Sequence, residues 1–335
     1  MLGRLSRTNG RRPRAGTPAD LRRGRAFASR VKRQLLNHRC DLIFAPVASW
    51  ELTCVDPDLP TIYLSDTTAR LHIDHYHEYE PPRTDCELEQ LSRQESVAIS
   101  KSTRLIYPSN WAAESAVSDY RADRRRIDII PFGANVDAVP HRNEIPPGPA
   151  VRDHATCRLI FTASNWHRKG GDIAVDTLAE LRRMGRDAEL TLVGCSPTAV
   201  PSARGVTAVP YLSKNSPRQH ARLNHLYLRS HFIIVPSRAD CSPTVIGEAN
   251  AFGVPAVCTN VGGIADVVSN GRNGYMLPAD ASGADFAARI AAVFGDQPHY
   301  ERLARTARAE YDNRLNWMHW GDAVCRVMKH VNNGG

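Results

Sequence analysis

Nowhere in its 335 residues does the sequence have the run of roughly eighteen apolar residues that a spanning helix needs, so no spanning helix is expected. Cys-x-x-Cys is also missing. The eight cysteines (Cys40, Cys54, Cys86, Cys157, Cys195, Cys241, Cys258 and Cys325) are scattered, several of them in strand patterns. Reduced, buried thiols in a cytosolic protein fit that scatter better than a disulfide framework or zinc ribbon. No Gly-x-Gly-x-x-Gly follows a strand pattern with an acid some twenty residues on, which argues against an NAD-dependent oxidoreductase. Acidic residues are almost absent from one place. Residues 1–33 hold eleven Lys or Arg and one acid, Asp20, an excess of +10 against +8 for the whole chain. The remainder is therefore near −2, and a nucleic-acid-binding body, which needs a basic face, is disfavoured. The basic start has no long apolar core, which argues against a secretory signal. It reads as a flexible tail, with a transit peptide or a nucleic-acid arm as the alternatives.

What the chain does contain is a regular alternation of strand and helix signals, in a length suited to about two domains. Residues 26–39 are helical in pattern. Strands follow at 41–46 and 61–65, then a loop and broken helix over 65–80. A helix at 86–101, a strand at 104–107, a helix at 110–120 and a strand at 127–130 complete the first half. Residues 138–150 carry four prolines and no periodicity, the mark of a linker. The alternation then restarts, with strands at 159–163, 189–193, 206–209, 232–235 and 255–258. Helices are expected at 170–184, 218–230, 282–294 and 298–311, and an amphipathic one in the tail. Such alternation implies parallel sheets with helices on their faces. The boundaries are 1–25 for a disordered basic segment, 26–140 for the first domain, 141–150 for the linker, 151–311 for the second domain and 312–335 for a terminal helix.

The stretch from Phe232 to Gly274 organises the second half: a buried strand, a polar turn with Asp240, a short helix with Glu248, a second strand and a glycine turn. Pro243 suits the first helical position, where its missing N–H costs nothing. The amides of Thr244 and Val245, next to Ser242, then lack intrahelical partners and have the positive end of the helix dipole behind them. Such a helix start can hold a phosphate. Val245, Ala249 and Phe252 form the expected buried stripe, with Glu248 on its flank as a part-sheltered carboxylate in need of donors.

These residues resemble the donor site of the retaining glycosyltransferases of family four, whose hallmark is Glu-x7-Glu inside a Pro-Ser…Glu-Ala-x-Ala-x-Gly-x-Pro frame followed by Gly-Gly. Here the frame reads Pro236-Ser237, Asp240, Glu248-Ala249, Ala251, Gly253, Pro255 and Gly262-Gly263, with Asp240 in place of the first Glu. The resemblance implies a GT-B fold, two Rossmann-like parallel-sheet domains facing across a cleft. It covers roughly residues 26–330. Nothing in residues 1–40 supplies the family's opening strand and glycine-rich loop, so the first domain is expected to be incomplete. By resemblance, Glu248 grips the donor ribose and Asp240 touches the transferred sugar, while Arg168 and Lys169 of Ser-Asn-Trp-His-Arg-Lys-Gly-Gly neutralise the departing diphosphate. Fixed cations in a dry cleft stabilise such developing charge.

The turn at 209–215 matches the place where the family cups the nucleobase. Tyr211 and Leu212 are the candidates there, with plain core packing as the alternative. Pro-Phe-Gly-Ala-Asn resembles the hinge before the linker, where Gly133 is expected to supply an unusual backbone angle. Ser65-Asp66 stands where the family carries a polar pair on the acceptor side, and the tail helix is expected to return to the first domain. The cluster His72, Asp74, His75, His77 and Glu78 has no second ligand pair elsewhere, so no metal is expected, and no cofactor. The implied partners are a nucleoside-diphosphate-sugar donor and a sugar or lipid-linked acceptor, with no nucleic acid. The implied setting is the cytoplasm, with peripheral contact at the inner face of the membrane left open. A non-catalytic nucleotide-sugar-binding module is the rival.

Overall fold

Successive residues of a strand face opposite sides of its sheet, so the runs Thr61–Leu64 and Arg104–Tyr107, apolar at almost every position, call for cover on both faces. The computed structural model, which describes residues 18–333 apart from 39, 56–57, 138, 142–153 and 196–202, supplies that cover. β1 (Ile43–Pro46), β2 (Thr61–Leu64), β3 (Arg104–Tyr107) and β4 (Ile127–Ile129) pair in parallel in that order. On one face Tyr63, Leu105 and Tyr107 pack with Ala98 and Ile99 of α4 (Asp85–Lys101) and Ala112, Ala113 and Ala116 of α5 (Asn110–Ser118). On the other face Ile62, Leu64, Ile106 and Ile130 pack with Val324, Val327 and Val331 of the last helix, Trp317–Asn332. The tail thus closes the core of the first domain. Val136 and Leu315, on the segments that join the two halves, pack instead into the core of the second.

The second sheet has six parallel strands: β5 (Cys157–Thr162), β6 (Ala188–Val193), β7 (Val206–Val209), β8 (Phe232–Val235), β9 (Ala256–Thr259) and β10 (Gly274–Leu277). Their spatial order is β10-β9-β8-β5-β6-β7. From β5 the chain runs through α6 (Gly171–Arg183) outward to β6. From β8 it runs through α8 (Thr244–Ala251) the other way, to β9. Neighbouring β5 and β8 are therefore a topological switch point, and the loops at their C-terminal ends part to leave a crevice.

The structure differs from expectation in several places. The first helix, α1 (Pro18–Asn37), begins inside the segment read as disordered. Residues 1–17 of that segment, and 142–150 of the linker, lie outside the described residues. Two short helices, α2 (Ser49–Cys54) and α9 (Ile264–Val267), and the strand β10 were not expected, since each is too short to show a period. A regular helix, α3 (Ala69–Tyr76), runs through the stretch read as loop and broken helix, with Thr68 as its N-cap. Pro243 is the N-cap of α8, one position before the expected one. α8 is also not amphipathic: all residues from Ile246 to Ala251 are buried, because helices and strands surround it. α7 (Pro217–Arg229), α10 (Gly283–Phe294), α11 (Gln297–Asn313) and α12 (the last helix) complete the chain.

Candidate active site

The loops after β5 and β8 are locked together across the crevice. Gly170 has φ +72°, and a Cβ there would come 2.0 Å from the carbonyl oxygen of Pro236, so only glycine lets the loops touch. The Arg238 amide donates to the Arg168 carbonyl at 2.8 Å. The Arg238 guanidinium forks onto Asp172 at 2.9 and 2.6 Å. That hydrogen bonding holds the Asp172 carboxyl below the usual carboxylate range. Held in this way, Arg168 Nη1 donates to the Ala239 carbonyl at 2.8 Å, and Lys169 Nζ is ion-paired to Asp240. Asp240 is 5 % exposed and also accepts from Ser237 Oγ at 3.2 Å.

Pro243, Thr244 and Val245 start α8 beside these groups, with half-buried Ser242 before them. No side chain caps the helix, so its first amides present partial positive charge. One turn deeper, Glu248 is 2 % exposed. It is therefore a buried carboxylate and not the flank residue expected, because α8 has no exposed flank. Its donors are Tyr227 Oη, at 3.1 Å, and Lys214 Nζ. Tyr227 stacks on Phe252, and burial pushes its hydroxyl well above the ordinary tyrosine value, so it stays a donor.

The opposite wall is α3. His75 Nε2 accepts from the Asp240 amide at 3.0 Å, and Tyr76 Oη accepts from the Cys241 amide at 3.0 Å. The Arg168 guanidinium lies over the Tyr76 ring, 5.1 Å from its centroid. Behind Asp240, Gly262 has φ +55°, and a Cβ there would meet the Asp240 carbonyl at 2.0 Å and His75 Nε2 at 3.0 Å. A second bridge between the domains joins Asn110, through its amide at 2.9 Å and Nδ2 at 2.5 Å, to the Asp266 carboxylate.

A ring nitrogen that accepts cannot carry the proton, so His75 is neutral here with its hydrogen on Nδ1. Burial lowers its pKa below 6.5. Asp240 opposes that shift, and Arg168 and His72 add to it; Tyr76 and Trp111 pack against the ring as well. Since the docked pKa is depressed, the contact stabilises the closed arrangement fully above pH 6.5 and is lost as pH falls through the lowered value. Thermal melts from pH 7.5 to 5 should show a loss worth about 0.5–1.5 kcal/mol that is absent from His75→Ala. Parallel curves for the two proteins would contradict it.

The remaining expected residues separate. Leu212 is 7 % exposed and belongs to the core of the second domain, whereas Tyr211 is 69 % exposed. Gly133 has no left-handed φ. It is needed for close approach, since a Cβ would meet the backbone of Asn316 and Trp317 at 2.4–2.7 Å. Ser65 is buried and donates to the Thr67 carbonyl at 2.6 Å, shaping its own turn. Asp66 is exposed at the end of β2, and the surrounding protein still raises its pKa by desolvation.

Lys214, Tyr227, Ser237, His75 and Tyr76 were not singled out as site residues. Lys214 follows two residues after Leu212 in a polar turn, and that was its only signal. The histidine cluster is dispersed in space. His72 pairs with Glu80 at 3.0 Å, His77 Nδ1 with the Asp74 carbonyl at 2.8 Å, and His75 faces the crevice. Among the described residues no group of three His, Cys, Asp or Glu could hold a metal ion.

Comparisons with known proteins bear on the family and the fold. Residues 156–296 match the family model "Glycosyl transferases group 1". The D-inositol 3-phosphate glycosyltransferase of Gordonia bronchialis is 26 % identical over 243 residues, covering 69 % of this chain and 53 % of the relative. That of Nocardia farcinica is 26 % identical over 261 residues, 70 % of this chain and 55 % of the relative. The chain thus spans about half the length of the curated relatives it matches. Among solved structures, sucrose-phosphate synthase from Thermosynechococcus elongatus superposes with TM-score 0.67 at 15 % identity, over 94 % of this chain and 79 % of its own. Anabaena Alr3699/HepE in complex with UDP gives 0.66 at 16 % identity, over 90 % and 82 %. At such identities the likeness is one of fold.

Proposed function

We propose, on the premise that residues 156–296 belong to the glycosyl transferases group 1 family and that the two facing parallel sheets are a GT-B fold, that the protein is a retaining glycosyltransferase. It moves a sugar from a nucleoside-diphosphate sugar to an acceptor hydroxyl with the anomeric configuration kept. The observation that carries this is the meeting of Arg168, Lys169, Asp240 and the uncapped start of α8 at one switch-point crevice, with Glu248 one turn behind.

In the reaction the bond from the anomeric carbon to the diphosphate oxygen breaks, and negative charge grows on that oxygen. Arg168, Lys169 and the amides of Thr244 and Val245 stabilise it. Asp240 holds the transferred sugar and Glu248 the ribose. The acceptor oxygen attacks from the same face as the leaving group, and its proton passes to the departing phosphate oxygen. Asp240 is already engaged by Lys169 and Ser237, which suits it to holding a sugar more than to attacking one. The countercharge is assigned to protein cations and not to a metal ion. The acceptor enters from the first-domain side, past Asp66 and α3. Curated relatives named for D-inositol 3-phosphate make small phosphorylated polyols the first acceptors to try. All eight cysteines are free, which suits a reducing compartment such as the cytoplasm.

The test is transfer from labelled UDP- and GDP-sugars to a panel of polyol, polyol phosphate and lipid-linked acceptors, with the product anomer read by NMR. Retention is expected. An inverted product would overturn the mechanism, and nucleotide binding without any turnover would favour the non-catalytic module.

A further inference from the structure

The buried carboxylate of Glu248 does not face the crevice alone. Lys214, carried by the turn between β7 and α7, lies over it, and the two side chains differ in what they show to solvent. The Lys214 side chain keeps 32 % of its surface accessible and Glu248 keeps 2 %. A molecule entering this part of the crevice therefore meets the ammonium before the carboxylate. On the far side Glu248 is already held by Tyr227 Oη, so turning away from Lys214 would cost the carboxylate a buried hydrogen bond. An ammonium has three N–H donors, and among the described residues Glu248 is the acceptor found for Lys214.

The pair sits at a definite depth. Thr244 and Glu248 are four residues apart on α8, which is about 6 Å along its axis at 1.5 Å per residue. That span is comparable with the reach from a nucleotide's phosphate, at the helix start, to its ribose diol. A cation and an anion side by side complement such a diol, because each hydroxyl both accepts and donates. As an ion pair for stability alone the arrangement gains little, since removing both charges from water offsets much of their attraction.

Resting on the proposed function, we infer that Lys214 is a specificity-determining residue for the donor, reading the ribose diol jointly with Glu248. Lys214 donates to one ribose hydroxyl oxygen while Glu248 accepts a hydroxyl proton, so the site distinguishes ribonucleotides from deoxyribonucleotides. Calorimetric titration with UDP and GDP, and with their 2′-deoxy and 3′-deoxy forms, tests this on the full chain. The wild type should bind the ribose form of one nucleotide about ten- to a hundredfold tighter than at least one of its deoxy forms, the range of a hydrogen bond to a charged group. Lys214→Met should weaken the ribose form and leave that deoxy form nearly unchanged, so the preference collapses. Lys214→Arg should keep part of it. Lys214→Gln, which retains a neutral donor, serves if the methionine variant does not fold, and the preference should shrink there too. Equal weakening of ribose and deoxy forms would make Lys214 a structural partner of Glu248 and overturn the inference alone. Absence of UDP and GDP binding by the wild type would instead defeat the donor site as a whole.

Discussion

Lys169→Ala is expected to cut turnover of a nucleoside-diphosphate sugar by about a hundred- to a thousandfold, the usual cost of losing one preorganised group that faces developing charge. The fall should appear in kcat more than in KM, because in the proposed reaction the charge that Lys169 would meet is largest as the diphosphate departs. The substitution has a second consequence. Asp240 is buried, and without Lys169 its carboxylate would keep, among the described residues, only the Ser237 Oγ hydrogen bond and be left largely uncompensated. Lys169→Arg separates the two effects: it keeps a cation beside Asp240 and should hold stability near wild type while restoring only part of kcat. Steady-state kinetics on both variants, with thermal melts alongside, decides the matter. Turnover equal to wild type in Lys169→Ala would remove the lysine from the chemistry.

The largest effect on stability is expected at a residue far from the crevice. Val324 of α12 is 3 % exposed and buried with Ile62, Leu64 and Ile106 of the first sheet and Ile130 beside it. Val324→Asp places a carboxylate among these apolar side chains, and the cost should be about 3–5 kcal/mol, the scale for an uncompensated buried charge. Such a carboxyl resists ionisation, so its folded-state pKa is raised. The penalty is then fully present at neutral pH and shrinks as pH falls and the group protonates. Urea unfolding at pH 7 and pH 5 measures both. Since α12 packs on the first half and the segment leading into it, at Leu315, packs in the second, loosening it should also separate α3 from the 240–241 turn and slow any turnover. A loss below 1 kcal/mol at pH 7 would mean that α12 does not close this core.

Individual residues divide according to what information they needed. Phe232–Val235 and residues 255–258 were legible as buried strands because short apolar runs bounded by turn residues read as strands buried on both faces, and the second is found one residue on, at Ala256–Thr259. Asp240 and Glu248 were legible as candidates through their spacing within a long frame, and Arg168 and Lys169 as candidates through their place between a strand and a glycine pair. α12 was legible as an amphipathic helix. Short elements were not: β10 and α9 have four residues each, too few for a period to emerge. Gly133 misled for another reason. A glycine signals either a backbone angle or a close approach, and the sequence does not say which.

The chain by itself determined the parallel sheets with helices on their faces, the strand–turn–helix that carries the acids and the position of the cations, because these depend on neighbours within one turn or one strand. The tertiary structure alone decided who faces whom. Strand order brought the loops after β5 and β8, some seventy residues apart, into contact. It set Lys214 over Glu248, 34 positions away, and His75 against the Asp240 amide, 165 positions away. Pairings at such separations follow from sheet topology and domain docking, which no local pattern of side chains encodes.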